Sequence, residues 1–511
     1  MTKSTRTNNK TERRSILKAA ALGCGAMSTH VSVMSTLMNL QATKAVMADQ
    51  GATDYKALVC LFLLGGNDSY NMLIPRNSAA AANPNEYDDY ASARGGVDDM
   101  LGNSNSNTGG LALAEADLLA INDPTNLSGR SFGLHPGMGV DATGNQGLNG
   151  GVAKLYNDGN LAFMANIGSL VEPTTRAEYN NRSNLPLGLF SHADLQRHWM
   201  TGAPHTRSQI TGWGGRLSDL FQGTNQNPAV SMNISLSGAN IYQSGQDVFP
   251  YAIGTGGATQ VSYYQTNNLQ NRMFKKQMDS MLAQTYSDLL AKSFADTHRL
   301  SLDAAVEFNN QVNAVNLTTV FDQGDTLSRQ MEKIAQVIAA APQLQQTRQV
   351  FFVTIGGWDN HTNLLPAQDT NLPRVSRALK SFYDATVELG CQDDVVTFTA
   401  SDFARTLGTN GQGSDHAWGG NHIVMGGGID GGKIYGEFPE SVAPGQASHS
   451  VFGNLDLGRG RMIPTTSVDE MAAELAMWFG VNSAANLEVI LPNIGSFYQY
   501  NAGSPPIGFF T

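Results

Sequence analysis

Charge is what this sequence has least of. Only 15% of its 511 residues are Asp, Glu, Lys or Arg, against about 25% in an ordinary soluble domain. Lysine is scarce, while Gly (54 residues), Asn and Gln are plentiful. Such a surface is polar, loop-rich and weakly charged, closer to an exported protein than to a cytosolic one. Cysteine is almost missing, and three residues exclude both a disulfide-rich scaffold and a Cys-rich zinc module. Cys24 lies in an N-terminal leader. Cys60 and Cys391 fall in segments that read as buried strands, so both are expected to be core thiols. Past the leader no run of 18 or more apolar residues occurs, and no membrane span is expected. A basic surplus is also lacking. Residues 1–48 hold seven bases and the single acid Glu12, and the remainder carries 25 bases against 42 acids, a net of −17. That body has no general field for nucleic acid. It suits a cation-binding protein, and plain solubility accounts for the acidity equally well.

The start reads Arg13-Arg14-Ser15-Ile16-Leu17-Lys18, followed by a mildly apolar stretch to Leu40. Paired arginines before a modest apolar region form the twin-arginine export pattern. Val46-Met47-Ala48 places small residues for cleavage after Ala48. The expectation is a signal peptide over 1–48, handed to the twin-arginine export machinery, and a periplasmic or secreted mature chain over 49–511. Leu22-Gly23-Cys24 is a faint lipidation signal, with Ala21 a poor fit.

In the mature chain, Tyr55 to Leu64 is a nearly continuous apolar run cut off by Gly65-Gly66. Leu161–Ile167, Gln349–Ile355 and Asp394–Ala400 have the same character. Short apolar runs ended by turn residues read as strands buried on both faces, the signature of a parallel sheet. Residues 77–130 read as a loop-rich insertion, and 228–265, within an accessory segment 223–270, as antiparallel strands. Residues 271–342 predict two or three helices, 373–389 an amphipathic helix, and Ser467 with Glu470 a capping box opening a helix that runs to Phe479. Strand and helix alternate at this spacing in α/β folds with a mainly parallel sheet. No internal repeat is present. The late glycines Gly426-Gly427-Gly428 lack the dinucleotide-binding spacing.

Ligands of an open α/β sheet bind beyond the carboxyl ends of its strands. The first strand is followed by Gly65-Gly66-Asn67-Asp68-Ser69, the third by Gly356-Gly357-Trp358-Asp359-Asn360-His361, and the fourth by Ser401-Asp402-Phe403-Ala404-Arg405. Asp415-His416 and His422 follow soon after. Carboxylates and imidazoles converging on one edge are what a divalent cation needs, and without one such acids repel each other. Taken singly, Asp68 is as readily a turn residue, Asp415 a loop acid, and His135 or His192 a hydrogen-bonded structural residue.

Leu63-Leu64-Gly65-Gly66-Asn67-Asp68, Gly133-Leu134-His135-Pro136, Ser191-His192-Ala193-Asp194-Leu195-Gln196, Gly356 to His361, Ser401 to Thr406 and Asp415-His416 together resemble the DUF1501 family. Its members are exported bacterial proteins without an agreed activity, grouped with the alkaline phosphatase-like superfamily of phosphatases and sulfatases. The resemblance implies a three-layer α/β fold with a central, mostly parallel sheet, helical and β insertions, and a metal site at the carboxyl edge. It implies metal ligands at Asp68, Asp359, His361 and Asp402, with Asp415, His416 or His422 supplying the rest. The pattern departs from the superfamily at two places. Asp359 and His361 stand as Asp-x-His, where the superfamily has Asp-x-x-x-His, and Phe403 replaces a histidine. A single metal (Zn, Mn, Ca or Mg) is therefore as compatible as a pair. Ser191, before a predicted helix and beside His192, is the nucleophile candidate, with an ordinary N-cap serine as its other reading. Ser69 is an alternative. Arg405 is a candidate clamp for a tetrahedral anion, or the partner of a nearby Asp. Two functions follow: a metal-dependent hydrolase of phosphate or sulfate esters or a related small anion, or a non-catalytic exported binding or assembly protein keeping a degenerate site.

Overall fold

The computed structural model describes residues 54–97, 110–127, 129–264, 266–440 and 453–510. The leader at 1–48, with Cys24, lies outside them. The described chain forms two compact units, a larger one over 52–227, 231–257 and 310–511 and a smaller one that includes Pro228–Val230 and Ala258–Asn309.

The larger unit is built on one sheet. Its strands are β1 (Lys56–Leu63), β2 (Leu161–Gly168), β3 (Asn233–Ser235), β4 (Tyr251–Gly254), β5 (Arg348–Ile355), β6 (Val395–Ser401), β7 (Gly420–Gly426), β8 (Ile434–Gly436) and β9 (Thr466–Ser467). They lie in the order β8–β2–β7–β6–β1–β5–β3–β4, with β9 also paired to β2. β1 is parallel to both neighbours, Leu58 facing Val396 on one side and Val350 on the other. Within this set only β7 is reversed, antiparallel to β6 and to β2.

Both faces of the sheet are covered, which is why β1, β5 and β6 read as near-continuous apolar runs. On one face Leu58, Cys60, Phe62, Phe352 and Phe398 pack against Trp199, Trp213, Leu217, Met471 and Leu475. These come from helices α2 (His192–Thr201), α3 (Trp213–Phe221) and α6 (Val468–Phe479). The other layer is α1 (Gly151–Asn157), α4 (Thr326–Ala339) and α5 (Leu364–Glu388), packed on one another and on β2 and β5. The predicted capping box is present: Ser467 accepts from the Glu470 N–H and Glu470 reaches back to the Ser467 N–H.

Four expectations change in detail. Where antiparallel strands were expected over 228–265, β3 and β4 extend the main sheet in parallel, Ile234 pairing with Phe351 and Tyr251. The insertion at 77–130 carries a helix, Glu86–Ala93, and shares a small antiparallel sheet of Leu73–Arg76, Leu119–Ala120 and Ser131–Leu134; residues 98–109 lie outside the described ones. Helix α5 starts nine residues before Pro373 and runs through it. Cys391 lies in the turn before β6, half-buried, and both Cys60 and Cys391 are free thiols.

The span 271–342 holds three helices, Leu269–Leu282, Leu289–Val312 and α4. In the smaller unit, Tyr264, Lys275 and Arg299 converge on Asp279 at 2.5, 2.8 and 2.9 Å. Asn309 brackets Ala258, accepting from its N–H and donating to its carbonyl.

Candidate metal centre

Strand direction decides which loops meet. β1, β5 and β6 run the same way, so the segments holding Asp68, Asp359 with His361, and Asp402 with Arg405 emerge at one edge. Because β7 is reversed, the residues before it, Asp415 and His416, reach that edge from the other side; a bridge between Arg405 and His416 ties them in. The long connection after β2 brings Phe190 and the start of α2, with His192. Close approach is allowed by glycine. A Cβ on Gly65, at φ +120°, would lie 2.5 Å from the backbone nitrogen of Asp359, a distance no other residue tolerates.

Three imidazoles are aimed at one carboxylate. His192 Nδ1 donates to Asp402 Oδ2 (2.6 Å), His361 Nδ1 to Asp415 Oδ1 (3.1 Å) and His416 Nδ1 to the Phe190 carbonyl (2.7 Å). Carboxylates and carbonyls only accept, so each Nδ1 carries the hydrogen and each neutral ring presents a bare Nε2. The three Nε2 atoms face Asp359: His192 lies 3.6 Å from Oδ2, and His361 and His416 lie 3.3 and 3.7 Å from Oδ1. His361 Nε2 and His416 Nε2 are 2.9 Å apart. One ligand atom each from His192, Asp359 and His416 fit within 4.8 Å of one another.

Two Nε2 atoms this close need a proton on one of them or a cation beside both. The two nitrogen donors of His192 and His416 and the oxygen donor of Asp359, each nitrogen fixed by an acceptor on its far side and His361 beside them, form three ligands and an outer shell of the kind a zinc-type site uses. The residues therefore fit a divalent cation. Electrostatics agree. Partial burial pushes the Asp359 carboxyl up, but a hydrogen bond and the charge of Arg405, then His192 and His361, bring it below the ordinary carboxylate range. Burial pushes the His416 imidazole down, the Phe190 carbonyl offsets part of this, and the Arg405 guanidinium, with the neighbouring His192 and His361, pushes it down further. A proton is thus disfavoured at the ring that shares the shortest contact.

The other predicted residues support this group. Asp402 is fully buried, and its oxygens are taken by the Gly65 N–H (3.1 Å), His192 and Gln196 (2.8 Å); it orients His192 and leaves the centre to Asp359. Asp415 orients His361 and is itself held by Arg459 (2.7 Å) and Asn410 (3.1 Å). Burial raises its carboxyl, and Asn410, Arg459 and His361 more than reverse this, to about 2. Arg405 is fully buried, binding Asp359 together with the carbonyls of Gly65, Gly66 and Ser414. It is a pin beneath the centre, with no face open to a substrate.

Four candidates have other partners. Asp68 forms a buried ion pair with Arg94, Oδ2 to a guanidinium nitrogen at 2.7 Å. His422 is buried in β7 with its ring 4.6 Å from Trp199, and burial lowers its imidazole to about 3. Ser191 is the N-cap residue of α2 without a side-chain cap bond; its hydroxyl interacts with Asp194. Ser69 is buried, its Oγ accepting from the Asn421 N–H at 2.8 Å.

Sequence reasoning missed Gln196, Arg94, Arg459, Asn410 and the Phe190 carbonyl. Only Gln196 left a usable signal, one helical turn after His192 on the same face.

Residues 55–504 match the family model described as "Protein of unknown function (DUF1501)". No curated protein matches the chain. Similar solved structures include the PsFucS1 sulfatase from Pseudoalteromonas sp., at 12% identity and a TM-score of 0.31, covering 88% of this chain and 72% of that one. Ps i-CgsB is similar at 10% identity and a TM-score of 0.28, over 67% of this chain and 69% of its own.

Proposed function

The chain belongs to the DUF1501 family, and from its site we propose that it is an exported, metal-dependent hydrolase of phosphate or sulfate esters or a related small anion. His192, His416 and Asp359 would hold one divalent cation, with His361 beside them. The imidazole-rich donor set favours zinc over calcium or magnesium. The observation that carries this reading is that one ligand atom each from His192, Asp359 and His416 lies within 4.8 Å of the others, with both imidazoles already bonded through Nδ1 to an acceptor on the far side.

A bound cation supplies Lewis acidity for an ester oxygen. The chain's own residues do the rest. Asp402, Asp415 and the Phe190 carbonyl fix the imidazole tautomers, and Arg405 holds Asp359 in place. Ser69 is buried with its hydroxyl engaged by Asn421, and among the described residues no hydrogen bond joins Ser191 to His192, Asp359 or His416, so this reading takes water as the nucleophile.

One observation favours the second reading, a non-catalytic exported binding protein. Arg94 already neutralises Asp68, which leaves the acid after the first strand no role in a metal centre. Elemental analysis of the native-purified exported protein separates the two, with Asp359→Ala/His416→Ala alongside. About one tightly held metal per chain, lost in the double variant, together with turnover of a phosphate or sulfate ester, supports the hydrolase. Metal without turnover across both ester classes supports the binding protein. No metal in the wild-type chain overturns the centre itself.

A further inference from the structure

The loop Asp456–Met462 closes on itself through a bridge between those two residues. Buried Asp456 accepts from the N–H groups of Gly458 (2.7 Å) and Gly460 (2.9 Å), so the loop is a fixed platform. It carries two arginines to two of the three partners that orient histidines. Arg459 reaches Asp415, which holds His361. Arg461 stacks its guanidinium 5.5 Å from the centroid of the Phe190 ring, and the Phe190 carbonyl holds His416.

The two arginines differ in what remains free. Arg405, Arg94, Arg459 and Arg207 each hold a carboxylate already. Arg461 has no carboxylate in ion-pair reach among the described residues. Its Nε donates to the Gly458 carbonyl at 3.1 Å and one terminal nitrogen to the Leu457 carbonyl at 3.4 Å. The other terminal nitrogen keeps both hydrogens for an outside acceptor. Phe190 is itself held at φ +72°, where a bulky residue is strained and persists only when its surroundings enforce it. That backbone turn presents the carbonyl to His416 and the ring to Arg461 together.

We infer that Arg461, stacked on the Phe190 segment that holds His416, is an anion subsite, its free terminal nitrogen binding an oxygen of the tetrahedral oxyanion of a sulfate or phosphate ester while Phe190 holds the guanidinium plane. The inference rests on the reading of His192, Asp359 and His416 as the centre, and it names the residue that recognises the charged end of the substrate.

The test is calorimetric titration of inorganic sulfate and, separately, inorganic phosphate into the full mature chain, with metal content and Tm measured on the same samples. Wild-type protein should bind at least one of the two, and Arg461→Gln should weaken that binding about tenfold or more with metal content and Tm unchanged. Arg461→Lys should fall between, since an ammonium keeps the charge and loses the planar stacking on Phe190 that aims the free nitrogen. Equal affinity in wild type and Arg461→Gln, or no binding of either anion by the wild type, overturns the subsite. So does loss of metal or a fall in Tm in Arg461→Gln, which makes the arginine a brace for Phe190. Failure of the metal reading looks different: a metal-free wild type whose anion binding still depends on Arg461 keeps the subsite and removes the centre.

Discussion

Arg94 and Asp68 meet as a buried ion pair, one guanidinium nitrogen 2.7 Å from Oδ2, with side chains 0% and 1% exposed. The other terminal nitrogen of Arg94 reaches the carbonyls of Thr406 and Leu407, so the pair joins the loop after β1 to the one after β6. A guanidinium supplied from the insertion thus does for Asp68 what a metal ion would do elsewhere on this edge.

Removing one member of such a pair leaves a charge with no compensation. Arg94→Ala should destabilise the chain by about 3–5 kcal/mol, measured by chemical denaturation. Arg94→Met with Asp68→Asn should recover much of that, because neither group is then left charged. A single Arg94→Ala within about 0.5 kcal/mol of wild type would show that Asp68 finds another partner.

Asp402 acts on the centre through His192. Asp402→Asn keeps the shape but offers an amide that can donate to Nδ1, favouring the wrong tautomer. Metal affinity should fall about 10–100-fold while the protein stays folded, read by competition with a chelator. Asp359→Asn, which weakens a ligand directly, should lose at least as much. Equal metal affinity in Asp402→Asn and wild type would detach His192 from the centre.

The strands, and the gathering of Asp359, His361 and His416 at one edge of the sheet, were legible for one reason. A parallel sheet covered on both faces forces apolar runs, and the glycines that end them mark the functional edge. That logic located Asp359, His361, Asp402 and Asp415–His416. It failed where a residue's partner comes from far along the chain. Asp68 has the motif of a ligand, yet Arg94, on the insertion, takes it. The reversal of β7 was hidden because its apolar core, Ile423–Met425, is short and its start, Asn421-His422, is polar. His416 depends on the backbone carbonyl of Phe190, and a backbone acceptor has no residue type to recognise.

Asp469, at the start of α6, is fully buried with Oδ1 unpartnered. Burial raises its carboxyl to about 8, against a smaller pull from Arg216. The folded state therefore keeps a proton that the unfolded chain releases near pH 4. Stability should fall as pH rises from about 4 to 8, and Asp469→Asn should flatten that slope and stabilise the chain at pH 8 by on the order of 2 kcal/mol. His422, lowered to about 3 by burial, acts in the opposite sense: it stays neutral when folded, so stability is lost as pH falls below about 6.5. Denaturation midpoints across pH 4–9 check both slopes. An Asp469→Asn curve parallel to wild type would mean that the carboxyl is ionised in the fold.

Two glycines with positive φ separate conformational strain from crowding at the centre. Gly144, at φ +92°, has nothing within 4 Å of where a Cβ would lie. Gly144→Ala should cost only the backbone term, about 1–3 kcal/mol, and leave metal binding intact. Gly65, at φ +120°, would drive its Cβ to 2.5 Å from the Asp359 nitrogen and 2.9 Å from the Trp358 carbonyl carbon. Its own N–H meets Asp402 and its carbonyl meets Arg405. Backbone cannot yield there as a flexible side chain would, so Gly65→Ala must move the Asp359 loop away from β1. It should therefore lose metal as well as stability. Matched stability loss in the two variants with full metal retention in both would show that the loop carrying Asp359 has slack.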